Sequence, residues 1–216
     1  MPIDVICFDC DGVLLDSVGI KTDAFASLFR EHGPEAEAFM VNYHLANGGV
    51  SRYEKFRHFY RHWFKREITE AEMAGLDERF TKACLSALLT TPMIPGAREF
   101  LEANNARDDG LPLYVASGAP HQELVFILDH MGLTGHFRAI YGSPPAKAQL
   151  LARVVDEAKA EFGVEPGRVL MVGDSSTDLL AAQLVGTAFL GVGEFEPPHP
   201  WLPDLTELAA WLIEAG

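Results

Sequence analysis

The chain has 216 residues, 48% of them hydrophobic and 22% charged, with a net charge of −14. These values fit a soluble globular protein with room for one core and an inserted subdomain. The acidity argues against nucleic acid as the main partner, because phosphate backbones are held by clustered Lys and Arg, and it means that an anionic substrate must be drawn in by local cations. The three cysteines, Cys7, Cys10 and Cys84, are too few and too odd in number for a disulfide framework. Cys7 and Cys10 have CxxC spacing but read as two small strand residues. No apolar run reaches the length of a bilayer span and no basic leader opens the chain, so a cytoplasmic setting is expected.

The first predicted element is Val5-Ile6-Cys7-Phe8, which runs into Asp9-Cys10-Asp11-Gly12. A short apolar run bounded by turn residues suits a strand buried on both faces. After Ser17 the pattern turns helical: Phe25, Leu28 and Phe29 recur at helical spacing, and further helices are expected over residues 35–42, 52–65 and 70–89. Pro92 and Pro95-Gly96 close this block. Residues 17–92 therefore read as an all-helical insertion, and residues 1–16 with 93–216 as the core. The core continues with a helix over 95–104, a strand over 113–117, a helix over 120–131, a strand over 137–141 and a helix over 147–162. A strand over 168–173, a helix over 179–185, a strand over 187–191 and a helix over 205–215 follow, with Pro197-Pro198-His199-Pro200 as a surface loop. Strands alternating with helices imply an α/β fold, a Rossmann-like parallel sheet flanked by helices.

In such a sheet the carboxyl ends of the strands share one edge, where ligands bind. That edge would carry Asp9 and Asp11, Ser117 and Gly118, and the run from Asp174 to Asp178, with Lys147 opening a nearby helix. Period-two alternation points Asp9 and Asp11 the same way. Neighbouring carboxylates repel unless a proton or cation separates them. Carboxylates with no softer ligand suit a hard divalent cation such as Mg²⁺, and Ser117, the N–H groups after it and Lys147 suit a phosphate. Taken singly, Asp11 reads equally well as a turn residue, and Asp174 or Ser117 as a helix cap.

Together these residues resemble the haloacid dehalogenase-like (HAD) superfamily, of the phosphoglycolate phosphatase and β-phosphoglucomutase type with a helical C1 cap. Asp9-Cys10-Asp11-Gly12-Val13 is similar to its first motif, Ser117 to the second, Lys147 to the third, and Gly173-Asp174-Ser175-Ser176-Thr177-Asp178 to the fourth. The resemblance implies a Mg²⁺-dependent phosphatase of a small phosphorylated metabolite, a phosphoglycolate- or sugar-phosphate-type monoester, acting through an aspartyl-phosphate intermediate. It makes Asp9 the nucleophile and Asp11 the general acid and base. Ser117, Gly118 and Lys147 would hold the phosphoryl group. Asp9, the carbonyl of Asp11 and Asp174 would hold the metal, with Asp178 ligating directly or through water. The acid at Asp11 favours phosphoryl transfer over dehalogenation. Cleavage of a phosphonate would want a Schiff-base lysine from the cap; Lys21 and Lys55 are present there, but this reading is disfavoured.

Substrate choice is expected in the cap, around Asn47-Gly48-Gly49-Val50-Ser51-Arg52 and Lys55. Arg52 and Lys55 lie three apart on one helical face. They read either as contacts to an anionic or polyhydroxylated leaving group or as a solvated face with a local salt bridge; His44 is a further candidate. Phe56, Phe59, Tyr60, Trp63 and Phe64 read as packing between cap helices, and His58 with His62 as two surface histidines. A phosphomutase and a catalytically weak binding protein on the same fold are the rival readings. The oligomer is expected to be a monomer or homodimer.

Overall fold

The structure is a computed structural model and describes residues 2–195 and 198–215. Among these residues, six strands form one parallel sheet: β1 (Val5–Phe8), β2 (Leu113–Pro120), β3 (Ala139–Ser143), β4 (Val169–Gly173), β5 (Ala188–Val192) and β6 (Trp201–Leu202). Their spatial order is β3-β2-β1-β4-β5-β6. All four residues of β1 and all five of β4 are buried, the signature of strands covered on both faces.

Alternation along β1 divides the core. Ile6 and Phe8 face the layer that includes α5 (Ala97–Asn105), α6 (His121–His130) and α9 (Leu208–Ala215), with Leu101, Leu128 and Leu208 packed there. Val5 and Cys7 face α7 (Lys147–Phe162) and α8 (Ser176–Val185), against Leu151, Val154, Ala181 and Ala182. Continuing that alternation by one step puts Asp9 on the side of α7 and α8, at the end of the strand.

Between β1 and β2 come α1 (Val18–Phe29), α2 (Pro34–Ala46), α3 (Arg52–Trp63) and α4 (Glu70–Leu88). Phe25, Phe29, Phe56, Phe59 and Phe80 are all at most 2% exposed, and they pack ring against ring at 4.0–6.2 Å. Their hydrophobic area holds the helices together. The two passages between these helices and the sheet run side by side. Asp16 N–H donates to the Pro92 carbonyl at 2.9 Å, Thr91 Oγ1 donates to the Asp16 carbonyl at 2.7 Å, and Ile94 N–H donates to the Leu14 carbonyl at 3.0 Å. His58 stacks on Tyr43 and lies 4.2 Å from the His62 ring.

Among the differences from the sequence pattern, three bear on the site edge and the sheet. β6 is an additional edge strand, paired with β5 through Gly191 and Val192. β2 runs on to Pro120 across a register irregularity after Ser117. Helix α8 begins at Ser176, three residues earlier than the apolar spacing suggests, which places Asp178 inside its first turn. Pro197 of the expected surface loop lies outside the described residues. Among the described residues, no helix is long and apolar enough to cross a membrane.

Candidate active site

β1 lies between β2 and β4, so the residues after all three strands meet at one edge of the sheet. Asp9 is 1% exposed, and its Oδ1 accepts from the Cys10 N–H at 2.7 Å and lies 2.7 Å from Lys147 Nζ. Lys147 is the first residue of α7 and reaches Asp178 Oδ1 at 2.8 Å as well. Burial alone would lower the proton affinity of Lys147, but Asp178 and Asp9 raise it above the ordinary lysine value. The ammonium is thus fixed in its charged form. The other oxygen of Asp178 accepts from the Ser175 N–H at 3.2 Å and the Ser175 hydroxyl at 2.6 Å.

Asp174 follows β4. An added Cβ on Gly12, which has φ +77°, would collide with the Asp174 carboxylate, so a glycine is needed both for the turn and for this approach. Asp9, Asp174 and Asp178 each offer a carboxylate oxygen within 4.8 Å of the others. Burial, aided by Asp178 and Asp11 and opposed by Lys147, pushes Asp9 up to about 7. Burial, Asp9 and Asp178 push Asp174 up to about 8. Carboxylates crowded until they hold protons near neutrality are the donor set that a hard divalent cation fits. Asp9 and Asp174 have oxygen capacity for it, whereas both oxygens of Asp178 are engaged by Lys147 and Ser175.

Asp11 has its own partners. Its carboxylate accepts from Ser17 Oγ at 2.5 Å and lies 2.5 Å from Lys21 Nζ. Burial would raise it, but the Lys21 ammonium and the hydroxyl of Ser17 outweigh burial and hold it below the usual carboxylate range. Asp9 and Asp11 are thus each paired with a different lysine.

Ser117 is fully buried, and its Oγ accepts from the Ala119 N–H at 3.1 Å. The glycine loop between α2 and α3 packs directly onto this edge. A Cβ on Gly118 would strike the Gly49 carbonyl, one on Gly48 would come within 2.8 Å of Ser175 Cβ, and one on Gly49 within 3.2 Å of Thr177 Cβ.

Between the sheet edge and helices α1 to α4 lies a cavity of about 250 Å³, lined in part by Asp11, Lys21, His44, Arg52, Lys55, Gly118, Glu123 and Asp174. Lys55 is 3% exposed, 2.8 Å from His44 Nδ1 and 5.5 Å above the Phe25 ring. Among the described residues, no carboxylate lies within ion-pair distance of it. Burial and the nearby Lys21 pull Lys55 down to about 7, and burial with Lys55 pulls His44 down to about 3. His44 Nε2 is buried with no hydrogen-bond partner.

Of the two sequence readings of Arg52, the solvated face with a local salt bridge does not hold. Arg52 is 7% exposed, so it lies on no solvated face, and its salt bridges are not local. Its Nε is 2.6 Å from Asp77 on α4, and its two terminal nitrogens donate to Glu123 on α6 at 2.9 and 3.2 Å. Thr81 Oγ1 accepts from Arg52 at 3.0 Å and donates to Glu123 at 3.0 Å.

A family profile described as "Hydrolase: haloacid dehalogenase-like hydrolase" matches residues 3–186. The chain belongs to the haloacid dehalogenase-like hydrolases. It is 30% identical over 205 residues to the phosphoglycolate phosphatase of Chromobacterium violaceum, covering 88% of this chain and 85% of that one. It is also 30% identical over 195 residues to phosphoglycolate phosphatase 1 of Pseudomonas aeruginosa, covering 84% of this chain and 66% of the other. The crystal structure of a β-phosphoglucomutase from Clostridium difficile superposes with a TM-score of 0.74 at 18% identity, covering 99% of this chain and 96% of that one, a likeness of fold.

In this haloacid dehalogenase-like hydrolase, three cavity or site residues carry no motif signal: Ser17 and Lys21 on Asp11, and Glu123 on Arg52. Ser17 and Lys21 are four apart at the start of α1, so one helical face presents both. That spacing is the signal a sequence reader has. Glu123 pairs with a residue 71 positions away, and no local pattern announces it.

Proposed function

We propose that the chain is a phosphatase of small phosphorylated carboxylic acids of the 2-phosphoglycolate type, acting through an aspartyl-phosphate on Asp9. The observation that carries this reading is the buried Asp9, 2.7 Å from Lys147 and beside the Asp174 carboxylate, which with Asp11 lines a small cavity. An Asp9 oxygen attacks phosphorus while the bond to the ester oxygen breaks, and Asp11 delivers a proton to the departing alkoxide. Asp11 then takes a proton from the water that cleaves the aspartyl-phosphate, releasing phosphate and the Asp9 carboxylate. Lys21 and Ser17 favour the ionised form of Asp11 that the second step needs. The incoming phosphate dianion raises its proton affinity for the first. Ser117, the Gly118 N–H and Lys147 hold the phosphoryl oxygens. Asp178 keeps Lys147 aimed at Asp9.

A Mg²⁺ ion would be held by Asp9, Asp174 and the Asp11 carbonyl, and would neutralise the charge that sets an anionic nucleophile against an anionic ester. The cavity of about 250 Å³ suits a small leaving group. Lys55, without a carboxylate of its own, is placed to take one from the substrate. The two phosphoglycolate phosphatases at 30% identity support the same leaving group.

Phosphate release from 2-phosphoglycolate and a panel of sugar phosphates, with and without Mg²⁺, tests the proposal. The expected result is Mg²⁺-dependent release that is lost in Asp9→Asn. Isomerised sugar phosphate in place of released phosphate would make the chain a phosphomutase. Bound ligand without turnover of any ester would make it a binding protein on this fold.

A further inference from the structure

We propose that Glu123 is a specificity-determining residue that closes the cavity to leaving groups carrying a second phosphate. The inference deepens the phosphatase reading and rests on it. Arg52 is the guanidinium that lines the cavity, and a guanidinium fork is what a distal phosphate would seek. Here the fork is taken. Both terminal nitrogens donate to Glu123, and Nε faces Asp77. The Arg52, Glu123 and Asp77 side chains are 6%, 9% and 32% exposed, so water screens the inner pair weakly. One guanidinium against two carboxylates gives the cluster a formal charge of −1.

Glu123 also lies in the first turn of α6, whose N-terminal end borders the cavity through Gly118, Ala119 and Pro120. A helix N-terminus attracts an anion, and Glu123 supplies that anion from within the chain. The cavity is thereby polarised. Lys55, with no ion-pair partner among the described residues, accepts a carboxylate, whereas Arg52, already engaged by Glu123 and Asp77, leaves room there only for neutral or hydroxyl groups. Because Arg52 and Asp77 come from α3 and α4 and Glu123 from α6, this filter operates when those helices sit over the sheet edge, as they do here.

The test compares 3-phosphoglycerate with 2,3-bisphosphoglycerate, which differ by one phosphate, on wild type, Glu123→Gln and Asp77→Asn. Wild type is expected to prefer the monophosphate in kcat/KM. Each variant removes one negative charge and is expected to shrink that preference by about tenfold, through the KM of the bisphosphate. A variant that merely loosens the cap raises both KM values together and leaves their ratio unchanged. Asp77→Asn serves if Glu123→Gln fails to fold. Calorimetric binding of both ligands in Mg²⁺ reads the same ratio without turnover. Discrimination in binding with no phosphate release would sink the phosphatase reading and keep this inference. A ratio within twofold of wild type in both variants, or a wild type that handles both ligands alike, would overturn it.

Discussion

Replacing Lys147 by Met removes a buried ammonium that lies 2.7 Å from Asp9 and 2.8 Å from Asp178, with 1% of the side chain exposed. At an effective dielectric constant of about 20, each contact carries roughly 6 kcal/mol of attraction, and burial of the charges takes back much of it. Methionine keeps most of the side-chain volume, so the main loss is the cation. Stranding partners of a buried ion pair costs about 3–5 kcal/mol, and here two carboxylates are stranded beside a third, Asp174. Urea unfolding in EDTA at about pH 8, where Asp9 is ionised, is expected to show Lys147→Met destabilised by about 3 kcal/mol or more. Added Mg²⁺ is expected to recover part of the loss by binding the folded state, while turnover stays absent. A variant within about 0.5 kcal/mol of wild type in EDTA would refute the view that Lys147 holds these carboxylates in place.

Two other consequences follow from the same electrostatics. In metal-free protein, Asp9 and Asp174 hold protons up to about 7 and about 8, whereas the unfolded chain releases them near the ordinary carboxylate value. The folded state therefore binds more protons across that window, and stability falls as pH rises from about 4 to about 8, by up to roughly 1.4 kcal/mol per pH unit for each extra proton. Thermal melts in EDTA and in Mg²⁺ check this, and a Tm that climbs steadily with pH in EDTA would contradict it. Lys55→Met is expected to raise the KM for 2-phosphoglycolate by about 10- to 100-fold while changing that for p-nitrophenyl phosphate little. In wild type the 2-phosphoglycolate KM is expected to rise as pH passes about 7, because Lys55 then loses the charge proposed to bind the carboxylate. Equal effects on both substrates would remove Lys55 from carboxylate recognition.

The parts of the fold legible in the sequence are those written in local order. The β1 run is apolar throughout because both faces are covered, and Asp9 and Asp174 end adjacent strands, so their meeting follows from a parallel sheet. The aromatic residues of α3 keep helical spacing because they share one buried face. What the sequence hides is pairing across space. Asp11 and Asp9 look equivalent in the chain, yet Lys21 claims one and Lys147 the other. For Arg52 the sequence leaves a solvated face and a ligand contact equally open, and nothing local announces that α6 brings Glu123 to it. β6 is two residues long among prolines, too short for alternation to register. The start of α8 is masked by Ser175-Ser176-Thr177, polar residues that carry no apolar period but cap and open the helix.

The central claim is that Asp9 becomes covalently phosphorylated. Wild-type protein mixed with Mg²⁺ and 2-phosphoglycolate, quenched in acid within the first turnover and digested for mass spectrometry, tests it directly. A phosphoryl group on the peptide containing Asp9, absent in Asp9→Asn, is the predicted result. Phosphate released at full rate with no label on that peptide, or with Asp9→Asn still turning over, would contradict it.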